Sequence, residues 1–203
     1  MIRRPAAVHK GWMILNAPAG RVPPGQYVTA DFPVLSAGPT PRLPLEEWRF
    51  TMTDPLGSER SWTWAEFTSL PRETVTVDIH CVTKWPKLDT TWEGVSLDTL
   101  LADGTDRAGA HVLFHSYGGY TTNLPLEDIT GGKAWIAFNY DGQPLDPEHG
   151  GPARLLVPHL YFWKSAKWVD GATLFDSDRP GFWESYGYHN YGDPWRKQRY
   201  QGD

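Results

Sequence analysis

The chain has 203 residues, of which 40% are hydrophobic and 21% are charged, and its formal net charge at pH 7 is -5. These proportions are typical of a soluble globular domain, and no apolar run approaches the ~20 residues that a membrane-spanning helix requires. Acidic and basic residues are interspersed, which indicates neither nucleic acid nor a membrane as a partner. The length predicts a single domain over residues 1–203.

The first 47 residues contain proline and glycine throughout, in runs such as RVPPGQY and FPVLSAGPTPRLPLEE. Proline cannot donate a hydrogen bond to a sheet, so we predict an ordered wrap of loops over residues 1–47. The opening segment has no continuous apolar run of the kind found in secretion signals, since His9, Lys10 and Asn16 interrupt it. We therefore expect a cytoplasmic protein.

Short strands and helices are predicted next. Residues 49–53 form a strand pattern, and residues 61–67 (SWTWAEF) have the pattern of a capped helix that ends before Pro71. From Thr74 to His80, β-branched residues alternate with others and predict a strand that leads straight into Cys81. A side chain placed at the end of a strand is held rigidly.

The second half continues this pattern. Ser96 is placed to cap a helix that stops at Gly104, and Asp141-Gly142 is a strong turn signal. With 20 Gly and 18 Pro, the chain is predicted to have an α+β fold, a β-rich mixed sheet with short helices, and an aromatic loop over residues 178–203. Further strands are predicted at residues 111–115, 135–140, 155–157 and 168–175.

Cys81 is the only cysteine, so it cannot form an internal disulfide. It is a buried structural residue, a reactive thiol or a metal ligand, and Lys84 nearby would favour the thiolate that binds metal. The sequence has no cysteine pair for zinc or iron–sulfur, no phosphate-binding P-loop and no nucleophile-elbow serine. The common hydrolase and NTPase interpretations are therefore set aside.

Two groups of basic residues are weaker indications of a binding site. His111 and His115 would share one face of a strand and could begin a metal site, although satisfied or exposed histidines are more common. Lys164 and Lys167, with Arg154, could converge on a phosphate if the chain turns there. The spacing alone favours solvated surface lysines.

Three segments together resemble the molybdopterin-binding domain of the sulfite oxidase-like superfamily. VDIHCVTKWPKLDTTWEGVSLDTLL is similar to the family's metal-ligand cysteine and its W-x-G-x-x-L helix entry, with Trp92, Gly94 and Leu97 matching. HVLFHSYGGYTTNLPLED is similar to the strand and loop that carry an active-site tyrosine. YDGQPLDPEHGGPARLLVPHLYFWKSAKWV matches an H-G-x-P-x-R-x-x-V-P run and spaced lysines.

The resemblance implies a fold, a cofactor and roles for residues. The cofactor would be molybdenum-molybdopterin without an added nucleotide, used to transfer one oxygen atom and two electrons. Cys81 would be the metal ligand, Tyr120 a hydrogen-bonding or proton-transfer group, and His80 and Lys84 supporting residues. The cofactor-binding residues implied are His149, Arg154, Lys164, Ser165, Lys167 and Thr90.

The resemblance implies a small-molecule substrate and leaves more than one substrate class open. Sulfite oxidases carry an R-N-H segment and arginines soon after the cysteine, where this chain has Thr29-Ala30-Asp31 and Lys84-Trp85-Pro86. The C-V-x-x-W run is more similar to the methionine sulfoxide reductase branch, which favours a sulfoxide or N-oxide over sulfite. We expect a monomer that exchanges electrons with a separate electron-transfer protein. The alternative is a non-catalytic relative that binds molybdopterin or a partner.

Overall fold

A computed structural model describes residues 20–102 and 110–203, in which ten strands form two sheets. In the first sheet, β1 and β10 are parallel and the other neighbours are antiparallel, so the sheet is mixed. Its spatial order is β2 (Glu59–Thr63), β1 (Arg49–Thr53), β10 (Val169–Phe175), β5 (His111–Ser116) and β6 (Thr121–Pro125).

The second sheet is antiparallel and carries the strand that leads to Cys81. Gly94 lies at a register shift in its longest strand, and a Cβ there would collide with the backbone of Ile136 and Ala137. Only glycine fits this close approach. The strands are β3 (Glu73–His80), β4 (Pro86–Ser96), β7 (Trp135–Tyr140) and β8 (Gln143–Pro144), with β9 (Arg154–Leu156) also paired to β7.

The helices are short: α1 (Trp64–Ser69), α2 (Leu97–Ala102) and α3 (Phe182–Ser185). None of the described helices is long and apolar enough to cross a bilayer. Ser96 Oγ accepts a hydrogen bond from the Asp98 N–H, as expected of its capping position. The predicted end of α2 at Gly104 lies outside the described residues.

The predicted helix over residues 61–67 is wrong in its first half. Residues 61–63 belong to β2, where Trp62 pairs with Phe50 of β1 and is buried. The helix begins only after Thr63, whose hydroxyl accepts from the Glu66 N–H while the Glu66 carboxylate accepts from the Thr63 N–H. Strand pairing decides the conformation up to this capping box, and local propensity decides it afterwards.

The main core lies between the two sheets. Val112 and Phe114 of β5 alternate with more exposed residues and pack in one cluster with Val95 of β4 and Ile136 of β7. A smaller apolar cluster surrounds Cys81 on the second sheet. The α+β, β-rich prediction is therefore confirmed.

Several strand boundaries match the sequence predictions and others were missed. The strands at Arg49–Thr53 and Trp135–Tyr140 have the predicted bounds, whereas β2, β4, β6 and β8 were not predicted. Residues 20–47 contain no helix or strand, and the Tyr27 N–H donates to the Lys84 carbonyl. This part of the wrap therefore runs along the turn that follows Cys81.

Candidate functional site

A cavity of about 540 Å³ opens where loops from several parts of the chain meet. Its wall is mostly apolar and aromatic, and Cys81 lies on it together with Arg154 and Lys167. Residues far apart in sequence converge here, and two of the segments, 81–85 and 117–120, directly follow the strands β3 and β5. The lining residues come from segments 32–41, 81–85, 117–120, 149–154, 162–168 and 182–188.

Cys81 directly follows β3 and is held in a tight turn. Its N–H donates to the Trp85 carbonyl at 2.8 Å, and its carbonyl accepts from the Lys84 N–H at 3.0 Å. Only 7% of the residue is exposed, and Sγ lies 3.1 Å from Thr83 Oγ1. The backbone thus fixes the sulfur at the cavity wall.

The expectation that positive charge favours the Cys81 thiolate is not met. Burial raises the pKa of the thiol, and the hydrogen bond from Thr83 opposes this effect only in part. The Lys84 side chain is exposed and has no effect on that pKa. A buried thiol of this kind loses its proton when a metal ion binds, because the ligand form is the thiolate.

Arg154 supplies a buried positive charge. The residue is 1% exposed, and its guanidinium donates to the carbonyl oxygens of His149 and Ser165, both at 2.7 Å. The Phe162 ring lies 4.0 Å from the guanidinium carbon, and burial lowers the pKa of Arg154 to about 9. No carboxylate in the described part of the chain pairs with it. A buried cation without a counterion favours the binding of an anion.

Lys167 adds a second cation to the same wall. Its ammonium donates to the Glu148 carbonyl at 2.6 Å, and burial, with repulsion from Arg154 as a smaller cause, lowers its pKa to about 8. Gly150 has φ 111°, and a Cβ there would lie 3.0 Å from Arg154 Cβ and 3.1 Å from Lys167 Cα. Glycine therefore keeps the space between the two cations open.

His149 and Ser165 also line the cavity. The His149 ring stacks on Phe32 with centroids 3.9 Å apart, and its buried Nδ1 has no hydrogen-bond partner within the described residues. Burial first, then Arg154 and Lys167, lower the pKa of His149, so the ring is neutral. The Ser165 hydroxyl accepts from the Val157 N–H at 2.9 Å and thereby fixes the loop.

Lys164 and Thr90 are not brought to the cavity wall. Lys164 is fully buried, lies 2.6 Å from Glu184 Oε1 and donates to the Asn123 carbonyl. Thr90 lies in β4 and accepts from Trp92 Nε1 at 2.8 Å. Lys164 is the last residue of the 3₁₀ turn Phe162–Lys164, and of the two lysines only Lys167 lines the cavity.

Three tyrosines line the cavity, Tyr117, Tyr120 and Tyr188, and the family resemblance implies a role only for Tyr120. The Tyr120 hydroxyl donates to the Trp163 carbonyl at 2.6 Å, so its proton is already engaged. Tyr188, from the aromatic C-terminal segment, packs between Trp163 and Trp183. Burial raises the pKa of Tyr188, and smaller contributions from Tyr200 and Cys81 raise it further. The aromatic residues around Tyr188 in the sequence were a signal for a role of this segment, but they did not indicate that Tyr188 shares a cavity wall with Cys81.

The remaining candidates lie elsewhere. His80 is buried beside Trp195, and burial lowers the pKa of His80 to about 4. His111 and His115 are on the less buried face of β5, where His115 Nε2 lies 3.0 Å from Thr173 Oγ1. Within residues 20–102 and 110–203, no group of three His, Cys, Asp or Glu residues is arranged to hold a metal ion.

A family described as the oxidoreductase molybdopterin binding domain matches residues 37–183. The chain belongs to this family. Its membership confirms the resemblance drawn from the three sequence segments and makes molybdopterin the cofactor of the chain. The cavity fits that group, because a soft thiol, two cations and an unpartnered imidazole nitrogen share one wall.

The chain is similar to several curated proteins over most of its length. The chain is 42% identical to the uncharacterized oxidoreductase YuiH of Bacillus subtilis, over 91% of this chain and 94% of that one. It is 24% identical to the putative protein-methionine-sulfoxide reductase subunit YedZ1 of Azospira oryzae, over 90% and 71%. The sulfite oxidase of Arabidopsis thaliana is 25% identical over 74% and 48%.

A solved structure supports the fold. The sulfane dehydrogenase SoxCD from Paracoccus pantotrophus matches with a TM-score of 0.61 over 68% of this chain. The match spans only 40% of that solved chain, at 22% identity. It therefore supports the sulfite oxidase-type fold and nothing about substrate.

Proposed function

We propose that the chain is a molybdenum-dependent oxidoreductase that reduces a small organic sulfoxide or N-oxide. In this reaction a sulfoxide, two electrons and two protons give a sulfide and water. The observation that carries the proposal is that Cys81, the only thiol, shares a cavity wall with Arg154 and Lys167. Sulfite-type oxidation is the same chemistry in the opposite direction and is the competing assignment.

The cofactor would be held from two sides. Cys81 would provide a thiolate ligand to molybdenum, and its tight turn would fix that sulfur. Arg154, Lys167 and Ser165 would hold the pterin phosphate, with His149 beside them. When bound, the cofactor supplies two-electron oxygen-atom transfer. Lys164 and Thr90 would stabilise the surrounding structure instead.

The lining of the cavity favours an organic substrate. Apart from Arg154, Lys167 and His149, the described residues of its wall carry no basic side chain. Once the two cations pair with the cofactor phosphate, aromatic rings such as Trp85, Phe182 and Trp183 are left for the substrate. A sulfite dianion would lose its hydration there without meeting a free cation.

Tyr188 is the hydroxyl that we assign to the substrate oxygen. Its raised pKa keeps the phenol protonated at neutral pH, and Tyr188 lines the same cavity as Cys81. The Tyr188 hydroxyl would donate a hydrogen bond to the oxygen that is lost as water. Tyr120 would instead position Trp163 through its own hydrogen bond.

Electrons would come from a separate electron-transfer protein, as the family resemblance implies. The expected monomer is checked by light scattering, where a stable dimer would contradict it. The expected cytoplasmic location is checked by cell fractionation.

The deciding experiment compares wild type with Cys81→Ser, both purified from a host that makes the cofactor. We expect nearly one molybdenum and one pterin per wild-type chain, and visible absorption that is lost or strongly altered in the variant. Wild type should reduce sulfoxides or N-oxides faster than it oxidises sulfite. Protein without metal and pterin would support a non-catalytic role, and efficient sulfite oxidation at micromolar substrate would reverse the substrate assignment.

A further inference from the structure

A second cavity, of about 520 Å³, shares Val82, Thr83 and Tyr188 with the first. The second cavity therefore lies against the turn that follows Cys81. Three basic residues line it, Lys84 from that turn and Lys197 and Arg199 from the C-terminal segment. Nothing in the proposed chemistry at Cys81 uses these three side chains.

None of the three cations forms a salt bridge with a carboxylate among residues 20–102 and 110–203, although the charge of Arg199 is one of the causes that lower the pKa of Asp203. Arg199 is half-buried, Nε donates to the Val82 carbonyl at 3.3 Å, and the buried Nη2 has no hydrogen-bond partner there. Asp203 is the one acidic residue on the wall, and its Oδ2 already accepts the N–H groups of Arg199 and Tyr200 at 2.8 Å each. Positive charge thus accumulates in a concave site, in a chain whose net charge is -5.

The backbone presents both lysines in an uncommon conformation. Lys84 has φ 77° and Lys197 has φ 58°, in the left-handed region that residues with a Cβ normally avoid. Only three other non-glycine residues in the described part of the chain share this conformation, and none of them lines the second cavity. Glycine would adopt this conformation without strain at both positions. The presence of lysine instead indicates that the side chains themselves have a function there.

Aromatic rings join this site to the first cavity. Tyr188 lies on both walls, and Tyr200 packs edge-on against it with ring centroids 5.4 Å apart. A ligand with one end in each cavity would therefore pass beside the Tyr188 ring. Its anionic end would meet Lys84, Lys197 and Arg199, since carboxylates pair well with both ammonium and guanidinium groups.

We propose that the second cavity is a binding subsite for the carboxylate of the substrate, held by Lys84, Lys197 and Arg199. The sulfoxide or N-oxide end of the same molecule enters the first cavity beside Tyr188. This inference rests on the proposed function, because it names the substrate as an organic oxide that carries an acid group.

The test uses a matched pair of ligands, N-acetylmethionine sulfoxide and its primary amide, which differ only in the carboxylate. Calorimetric titration of the oxidised holoenzyme, without reductant and therefore without turnover, gives both affinities. We expect the acid to bind about tenfold more tightly than the amide, because hydrogen bonds to a charged group are lost in the amide. The double variant Lys84→Gln/Lys197→Gln should remove that preference while binding the amide as wild type does.

The control is Lys133→Gln, which makes the same kind of charge change at an exposed lysine outside both cavities. It should keep the full preference for the acid. Equal binding of acid and amide by wild type, or a preference that survives the double substitution, would overturn the proposal. So would binding of inorganic sulfate that the double substitution abolishes without any preference for the acid, since the site would then take free anions only.

The two proposals fail in different ways. Missing molybdenum defeats the proposed reaction, whereas the loss of acid preference caused by the double substitution is also measurable by the same titration on metal-free protein. If the cations instead bind an acidic partner protein, wild type will bind the acid and the amide equally well. Titrating the metal-free double variant completes the comparison, and its preference for the acid should be smaller than that of metal-free wild type, since Arg154 and Lys167 are the same in both proteins.

Discussion

The Nζ atom of Lys164 lies 2.6 Å from Glu184 Oε1, and the two side chains are 0% and 1% exposed. Trp163 Nε1 also donates to Glu184 Oε1 at 2.9 Å, and Lys164 donates to the Asn123 carbonyl. This ion pair links the 3₁₀ turn Phe162–Lys164 to α3. Burial lowers the pKa of Lys164, and the carboxylate of Glu184 opposes that effect.

Lys164→Met should therefore destabilise the protein without directly weakening cofactor contacts. The substitution leaves Glu184 buried and unpaired, which costs about 3–5 kcal/mol in the free energy of unfolding. Lys164→Met/Glu184→Leu should recover much of this loss. Urea denaturation of the metal-free proteins measures the free energy of unfolding of each variant. The exposed pair Arg72–Glu93 provides the control, since Arg72→Met should cost about 1 kcal/mol or less. Equal stabilities for Lys164→Met and wild type would contradict the buried pairing.

Cofactor retention should decline as the pH rises through the pKa of Lys167. Burial lowers that pKa from 10.5 to about 8 in the metal-free protein. Below this pH the lysine is a cation and attracts the phosphate; above it the lysine must first gain a proton. Affinity should therefore be flat below about pH 8 and fall by up to roughly tenfold per pH unit above it.

Lys167→Arg separates this effect from general alkaline instability, because arginine stays charged throughout. Its pterin retention should be nearly independent of pH over the same range. Equilibrium dialysis followed by fluorescence of the released pterin gives the values. The same pH dependence in both proteins would show that Lys167 does not hold the phosphate.

Tyr188→Phe should reduce catalysis with little effect on folding. Loss of the hydroxyl that donates to the substrate oxygen should lower kcat/KM about 10²-fold. Tyr120→Phe is the matched comparison, because it leaves the Trp163 carbonyl without its hydrogen bond. That variant should lose about 1–3 kcal/mol of stability and keep most of its activity. The reverse pattern in steady-state kinetics would return the catalytic role to Tyr120.

Gly94→Ala tests how closely β4 and β7 approach. The added methyl group would meet the backbone of Ile136 and Ala137, and backbone cannot rotate out of the way. We expect a loss of about 1–3 kcal/mol in the free energy of unfolding. Gly38→Ala should have almost no effect, since nothing lies within 4 Å of a Cβ at that position. Unchanged stability of Gly94→Ala in thermal or chemical denaturation would contradict this packing.

The sequence predicted those elements whose signals are local. The alternation in β3 and the Asp141-Gly142 turn each depend on a few adjacent residues, and both are present in the structure. The β4 strand was missed because Asp89 and Gly94 interrupt its alternation, yet it pairs with neighbours on both sides. Residues 61–63 suited both a helix and a strand, and pairing with β1 decided between them.

By itself, the sequence determined the family, the cofactor and the position of Cys81 at the end of a strand, because these follow from short motifs and local periodicity. Only the tertiary structure separated Lys167, which faces the cavity, from Lys164, which pairs with Glu184 inside the fold. It likewise placed Tyr188 and Cys81 on the wall of one cavity. Side-chain direction after a turn and contacts between distant segments arise from packing, which no local pattern of residues encodes.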